Sequence, residues 1–280
     1  MTASLMPLAA MVLGLGGVLG LAIGSFLNVV VHRVPAGLSV VAPASSCPKC
    51  GSSIRRVDNV PVLSWLILRG RCRDCAAPIS VRYPLVELGT AAFFVVVALR
   101  FLPDGAVDGA TSAGQTVLLL ALLYLAAVSV ALTLIDLETQ RLPNAIVLPM
   151  YPVLGVLLAG ASVLTGDWAA LVRGVGGLAV LGGVYLLLAI AVPRGMGMGD
   201  VKLAGALGLV LAYLGWGPLA VGAFGAFLLG GTFGIVLMLV RRTGRGVGIP
   251  FGPWMLLGAW IGAFAGEPVW HAYLALLGLA

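Results

Sequence analysis

Charge is scarce in this chain. Only 9% of its 280 residues are acidic or basic, 61% are hydrophobic, and the mean hydropathy is +1.12. Soluble domains carry roughly a quarter of their residues charged, so a soluble globular protein is excluded and a multi-pass membrane protein is indicated. The formal net charge is +6, but the basic residues collect in particular loops instead of spreading as a stripe. That distribution is a topology signal and argues against a nucleic-acid partner. Lys and Arg are absent from the first 31 residues. The apolar run from about Leu5 to Val31 is therefore followed, not preceded, by positive charge, the wrong order for a cleaved signal peptide. Residues 1–31 are expected to be a retained first span, with the N-terminus outside and the His32–Arg33 end inside. Histidine is nearly absent too: His32 and His271 lie far apart and form no ligand set. There is no repeat of 20–50 residues, no low-complexity tract, and no glycine-rich strand-to-helix turn of the nucleotide-binding kind.

What is present is a succession of apolar runs. Within the first, Asn28 is the single amide, and an amide in lipid needs a partner on a neighbouring helix. After a polar segment at residues 32–83, further spans are expected at about Pro84–Leu102 and Thr116–Ile135, separated by a short outer loop at 103–115. A fourth reaches about Leu164, and a small outer loop carrying Asp167 and Arg173 leads to a fifth ending near Val192. A short sixth covers Val201–Tyr213, and a Gly-Trp-Gly-Pro turn leads to a seventh ending near Val240. Arg241, Arg242 and Arg245 mark a further cytoplasmic loop, Gly248–Trp254 opens an eighth span, and the tail from Glu267 is too short to cross alone. The expected fold is thus an all-α polytopic membrane protein of about eight spans, with residues 84–280 as its main membrane domain. Glu87, just inside the second span, needs a partner such as Arg82 or an inner cavity.

The segment 32–83 holds eight of the sixteen Lys and Arg residues against Asp58 and Asp74, which places it in the cytoplasm. It also holds all four cysteines, as Cys47-Pro-Lys-Cys50 and Cys72-Arg-Asp-Cys75, separated by 21 residues. Two such knuckles have the spacing of a zinc ribbon. A reducing compartment disfavours disulfides, and a site closed by four thiolates is structural, so zinc held by Cys47, Cys50, Cys72 and Cys75 is expected to fold the loop without doing chemistry.

Chemistry is expected instead from two carboxylates. Asp136 lies in Ile135–Asn144, where a Leu-Pro pair breaks the helix, and Asp200 lies in Pro193-Arg-Gly-Met-Gly-Met-Gly-Asp-Val-Lys202. They are 64 positions apart, yet both fall at cytoplasmic ends of spans and so at one membrane depth. Paired in a low-dielectric site, two carboxyls can share a proton, one taking a proton from water while the other donates to a scissile carbonyl. Gly195, Gly197 and Gly199 would leave room for an unwound peptide. Lys202 is read as snorkelling to the headgroups, and Glu138 with Arg141 as a solvated turn.

These motifs resemble the prepilin peptidases, the type IV leader peptidases. The resemblance covers Gly24–Pro35, the paired knuckles, Asp58–Cys75, Ile79–Leu88, the Asp136 motif, Gly195–Leu203 and Ile249–Pro253. It implies a membrane aspartic protease of the GxGD type, with Asp136 and Asp200 as its catalytic pair. The implied partners are the lipid bilayer of a bacterial inner membrane and prepilin or pseudopilin substrates, whose short basic leader is cut after a glycine on the cytoplasmic side. Members with the cysteine loop also methylate the new N-terminus with S-adenosylmethionine, and Gly70 matches a position associated with that methylation. Asn144 stands where many relatives have Asp after Leu-Pro. Two other readings of the residues remain at this stage: an ion or proton-coupled transporter using the two aspartates, and an assembly scaffold docking through the zinc loop.

Overall fold

The computed structural model describes residues 5–102, 109–192, 196–241 and 250–279. Among them, eight long helices stand where the eight spans are expected: α1 (Leu5–Arg33), α3 (Arg82–Phe101), α4 (Gly109–Thr139), α5 (Asn144–Thr165), α6 (Trp168–Ala191), α7 (Met198–Leu214), α8 (Trp216–Arg241) and α9 (Gly252–Leu276). A one-turn helix, α2 (Leu63–Ile67), lies in the cysteine loop. Six of the described helices are long and apolar enough to cross a membrane. The two long helices outside that set are α7, with 17 residues, and α9. The chain is therefore a multi-pass, all-helical membrane protein.

Several boundaries differ from those read off the sequence. α4 begins at Gly109, so residues 109–115 belong to a helix and not to a loop; the rest of that loop, 103–108, lies outside the described residues. Gly114 explains the extension: a Cβ there would stand 3.1 Å from the Ala161 carbonyl and 3.3 Å from Leu164 Cβ, so this small-residue turn packs closely on α5. Arg173 lies within α6, whose N-cap is Asp167, accepting from the Ala170 amide at 2.9 Å. The break between α7 and α8 is Gly215 alone, at φ 159°, and α9 runs through Pro268 to Leu276 without stopping at Glu267. The Arg242 and Arg245 loop lies outside the described residues.

The chain divides into two compact units. One comprises residues 1–105 with 122–131 of α4, and the other comprises 106–121 with 132–280. In the first, α1 packs along α3 through Gly20 and Gly24, spaced i, i+4. A Cβ at Gly20 would fall 2.6 Å from Ala91 Cα, and one at Gly24 would fall 2.7 Å from Glu87 Cα. This is the close backbone approach that drives helix association in lipid, where apolar surface alone gives no preference for protein over acyl chains. Asn28, expected to find a partner helix, donates to the Tyr83 carbonyl of α3 at 3.3 Å.

In the second unit α7 is the central element, in contact with α5, α6, α8 and α9. Every residue from Leu203 to Tyr213 is buried, and a helix that is apolar all round belongs in an interior. Gly177 of α6 and Gly208 of α7 bring two backbones together: a Cβ on Gly208 would lie 2.9 Å from the Gly177 carbonyl carbon. The C-terminal carbonyls of α7 are satisfied by Arg173, which donates to Ala212 O at 2.6 Å and Tyr213 O at 2.8 Å. A cation at a helix C-terminus also complements the helix dipole. Replacing it, as in Arg173→Met, leaves two buried carbonyls without donors and is expected to lower the stability of the purified protein by ~2 kcal/mol. Denaturant unfolding in detergent would measure this, and an unchanged midpoint would show that water or lipid headgroups substitute for the guanidinium.

Candidate active site and cysteine centre

The cysteine loop is built from two copies of one turn. In the first, the Cys47 amide donates to Ser52 O at 3.0 Å and the Gly51 amide to Cys47 O at 2.9 Å. In the second, the Cys72 amide donates to Ala77 O at 2.8 Å and the Ala76 amide to Cys72 O at 2.9 Å. Isolated bridges, Ser46 with Ser53 and Arg71 with Pro78, close each turn. Gly51 and Ala76 occupy the same left-handed position, at φ 72° and 56°. The two turns bring the four sulfurs within 4.8 Å of one another, with Cys47 and Cys75 Sγ 3.7 Å apart. Four thiolates around an ion at a bond length of about 2.3 Å would stand about 3.8 Å from each other, so the cluster fits a tetrahedral ion.

The thiols differ in their electrostatics. Hydrogen bonding to the Ser52 side chain and then its backbone holds Cys50 down to about 6, and the Cys75 and Asp74 backbones lower Cys72. Cys75 is lowered by the Ala77 backbone but driven the other way by desolvation and its three sulfur neighbours, ending up at about 12. Thiolates this crowded resist full ionisation unless a cation joins them.

Charged residues inside the second knuckle tie it to the segment between the two. Arg73 Nε donates to Asp58 Oδ2 at 2.8 Å, and Arg55 Nη2 donates to Asp74 Oδ1 at 3.0 Å. Gly70 sits at φ 66°, and a Cβ there would come 3.0 Å from the Trp65 ring, whose indole N–H donates to Ile79 O at 3.1 Å. Glu87, expected to need a partner such as Arg82 or an inner cavity, is buried. It accepts from the Val62 amide at 2.7 Å, holding that β-branched residue at φ 60°, a conformation rare enough to need such support.

The two aspartates lie together in the second unit. Asp136, on the last turn of α4, is only 4% exposed, and its Oδ2 accepts from the buried Gly252 amide of α9 at 3.0 Å. Asp200 is half-buried at the third position of α7, where its Oδ2 accepts from the Gly197 amide at 3.0 Å. This is one half of a capping box and a favourable place for a carboxylate at a helix N-terminus. Their surroundings meet at Leu142: a Cβ on Gly199 would lie 3.0 Å from Leu142 Cβ, and one on Gly252 would lie 3.2 Å from its Cδ2. Gly199 is thus helical, with its open side taken by Leu142; Gly195 lies outside the described residues.

Helix α5 fixes the start of α7. Lys202, expected to reach for headgroups, donates to Asn144 Oδ1 at 3.0 Å, and Tyr151 donates to the Lys202 carbonyl at 2.6 Å. Gly205 makes room for that phenol, which would lie 2.5 Å from a Cβ at this position. Sequence reading missed Gly252, Leu142 and Tyr151. The Gly-Pro pair after Phe251 and the Leu-Pro break were visible signals, whereas nothing marks Tyr151 among the apolar residues of α5.

Residues 18–101 match the bacterial peptidase A24 N-terminal domain, and residues 123–235 match the type IV leader peptidase family. Proteins named prepilin leader peptidase/N-methyltransferase align over nearly the whole chain. That of Aeromonas salmonicida is 38% identical, covering 92% of each chain, and that of Pseudomonas putida is 39% identical, covering 94% of each. The chain belongs to the type IV leader peptidase family. It is accordingly an enzyme, and both matched regions carry one of the centres described above. The protein of Pseudomonas aeruginosa is 35% identical, over 93% of this leader peptidase and 92% of its own length. No solved structure matches.

The ion pair at Asp58 gives this leader peptidase a pH signature. The hydrogen bond from Arg73, reinforced by its charge, holds the Asp58 carboxyl below the ordinary carboxylate range. Its contribution to loop stability is therefore complete above the ordinary value of about 4 and lost as the pH falls through the depressed folded-state value. Proteolysis of segment 32–83 should be faster in Asp58→Asn than in the parent enzyme at neutral pH, and the difference should vanish in acid. Equal rates at neutral pH would mean the pair does not hold the loop.

Proposed function

We propose that this protein removes the leader from type IV prepilins and pseudopilins, cutting on the cytoplasmic side after a glycine, with Asp136 and Asp200 as its catalytic pair. The observation that carries this is the meeting of two carboxylates from α4 and α7, each holding a glycine amide, in a member of the leader peptidase family. The names of the relatives supply the substrate class. One aspartate takes a proton from a water molecule as its oxygen attacks the scissile carbonyl carbon. The other, protonated, donates to the carbonyl oxygen, and collapse of the tetrahedral intermediate returns a proton to the leaving amine. Two carboxyls acting on one substrate bond favour a single shared proton between them. The basic segment 32–83 supports a cytoplasmic orientation for the loop, and a bacterial inner membrane follows from the substrate.

We further propose that the enzyme methylates the new N-terminus with S-adenosylmethionine, as the relatives' names suggest, and that Cys47, Cys50, Cys72 and Cys75 hold a structural zinc ion. The ion would supply loop folding and no reaction step. Gly70, at its left-handed position beneath Trp65, supports methylation through loop shape in this scheme. Among the described residues there is no strand-to-helix turn to cradle a nucleoside, so the donor site is left unassigned.

Asp136→Asn and Asp200→Asn should each abolish leader removal from a synthetic prepilin, a loss of at least about a thousandfold, with membrane insertion intact. Normal processing by either stable variant would end the aspartic reading. Metal analysis of purified protein should find about one zinc per chain, and chelation should expose segment 32–83 to protease; intact thiols with no metal would refute the zinc centre.

A further inference from the structure

Gly252 lies at the start of α9, within Pro250-Phe251-Gly252-Pro253. A helix N-terminus has backbone donors without intrahelical partners, and among residues 252–255 one is left to serve a side chain. Pro253 has no N–H, and the amides of Trp254 and Met255 both turn back to the Phe251 carbonyl at 3.1 Å. The remaining donor of this turn, the Gly252 amide, is buried and lies 3.0 Å from Asp136 Oδ2.

A side chain is excluded at the same position. A Cβ on Gly252 would stand 2.8 Å from Asp136 Oδ2 and 3.2 Å from Leu142 Cδ2. The turn that presents the amide is itself anchored. Phe251 packs its ring against Phe227 and Tyr185, with centroids 5.6 and 6.3 Å away, over Gly230, where a Cβ would come 2.7 Å from it. Three features of this short stretch therefore converge on one oxygen: an aromatic anchor from residue 251, a donor without a side chain at 252, and a deleted competitor at 253.

We infer that Gly252 is a positioning residue for leader cleavage. Its amide fixes the rotamer of Asp136 by tying down Oδ2, leaving Oδ1 as the oxygen that exchanges a proton with water or substrate. This rests on the assignment of Asp136 to the cleavage chemistry. Because the amide touches the carboxylate and not the peptide, its loss should lower turnover and leave substrate binding alone. A carboxylate free to rotate spends less time in the reactive geometry.

The test removes the N–H without adding atoms that clash. Gly252→glycolate, introduced by nonsense suppression during membrane insertion, converts the amide to an ester; Gly252→Ala adds the excluded methyl; Asp136→Asn is assayed beside them. Kinetics are measured on a synthetic prepilin peptide and normalised to the protease-resistant, folded fraction. The ester enzyme is expected to lose about tenfold to a hundredfold in kcat at unchanged KM, and Gly252→Ala roughly a hundredfold. Wild-type kcat in the ester enzyme, or a change confined to KM, would overturn the positioning role while an inactive Asp136→Asn leaves the cleavage assignment standing. An Asp136→Asn enzyme that cleaves normally would instead remove the assignment on which the inference rests.

Discussion

A carboxylate in a membrane interior must be given hydrogen-bond donors, and few side chains can deliver them there without bringing a charge or bulk of their own. In this protein the donors are backbone amides of glycines at helix N-termini. Gly252 serves Asp136 from another helix, and Gly197 serves Asp200 from the cap of its own. A backbone amide also serves the acid of the first unit, where Glu87 accepts from Val62, the β-branched residue that caps α2. Each acid is thus solvated by fixed dipoles that need not reorganise when charge moves, the property that makes preorganised sites effective in catalysis.

Glycine has a second use, as the absence of a side chain where two backbones or a backbone and a ring must meet. Gly20 and Gly24 seat α1 on α3, Gly177 and Gly208 seat α6 on α7, and Gly205 admits the Tyr151 phenol beside α7. These contacts substitute for the hydrophobic driving force that lipid removes. They also bear on the site, because α7 carries Asp200 and its position is set by what packs around it.

Much of this was legible in the sequence where composition alone decides it. Hydropathy located the eight helices, the positive charge of segment 32–83 marked the loop, and the spacing of Cys47, Cys50, Cys72 and Cys75 foreshadowed their convergence. Asp136 and Asp200 stood out because an acid beside hydrocarbon is expensive. The helix starts were less legible. Gly-Ala-Thr-Ser-Ala-Gly at 109–114 reads as a loop in water yet packs as a helix against α5, and Gly199 and Asp200 begin α7 instead of preceding it. The amide of Gly252 could not be found by residue type, since every residue but proline has one; only its aim distinguishes it. The pairing of Arg73 with Asp58 and of Arg55 with Asp74 likewise depends on a fold that brings residues 15 and 19 positions apart together.

The burial of α7 on every side has a consequence for how the protein is made. A helix of 17 residues spans about 25 Å, short of the hydrocarbon thickness of about 30 Å, and its last carbonyls depend on a guanidinium that α6 provides. It is poorly suited to leave the insertion machinery and wait alone in lipid. α6 precedes it in synthesis and already carries Arg173 and the glycines that receive it. The helix that supplies these partners thus precedes in the chain the helix that needs them.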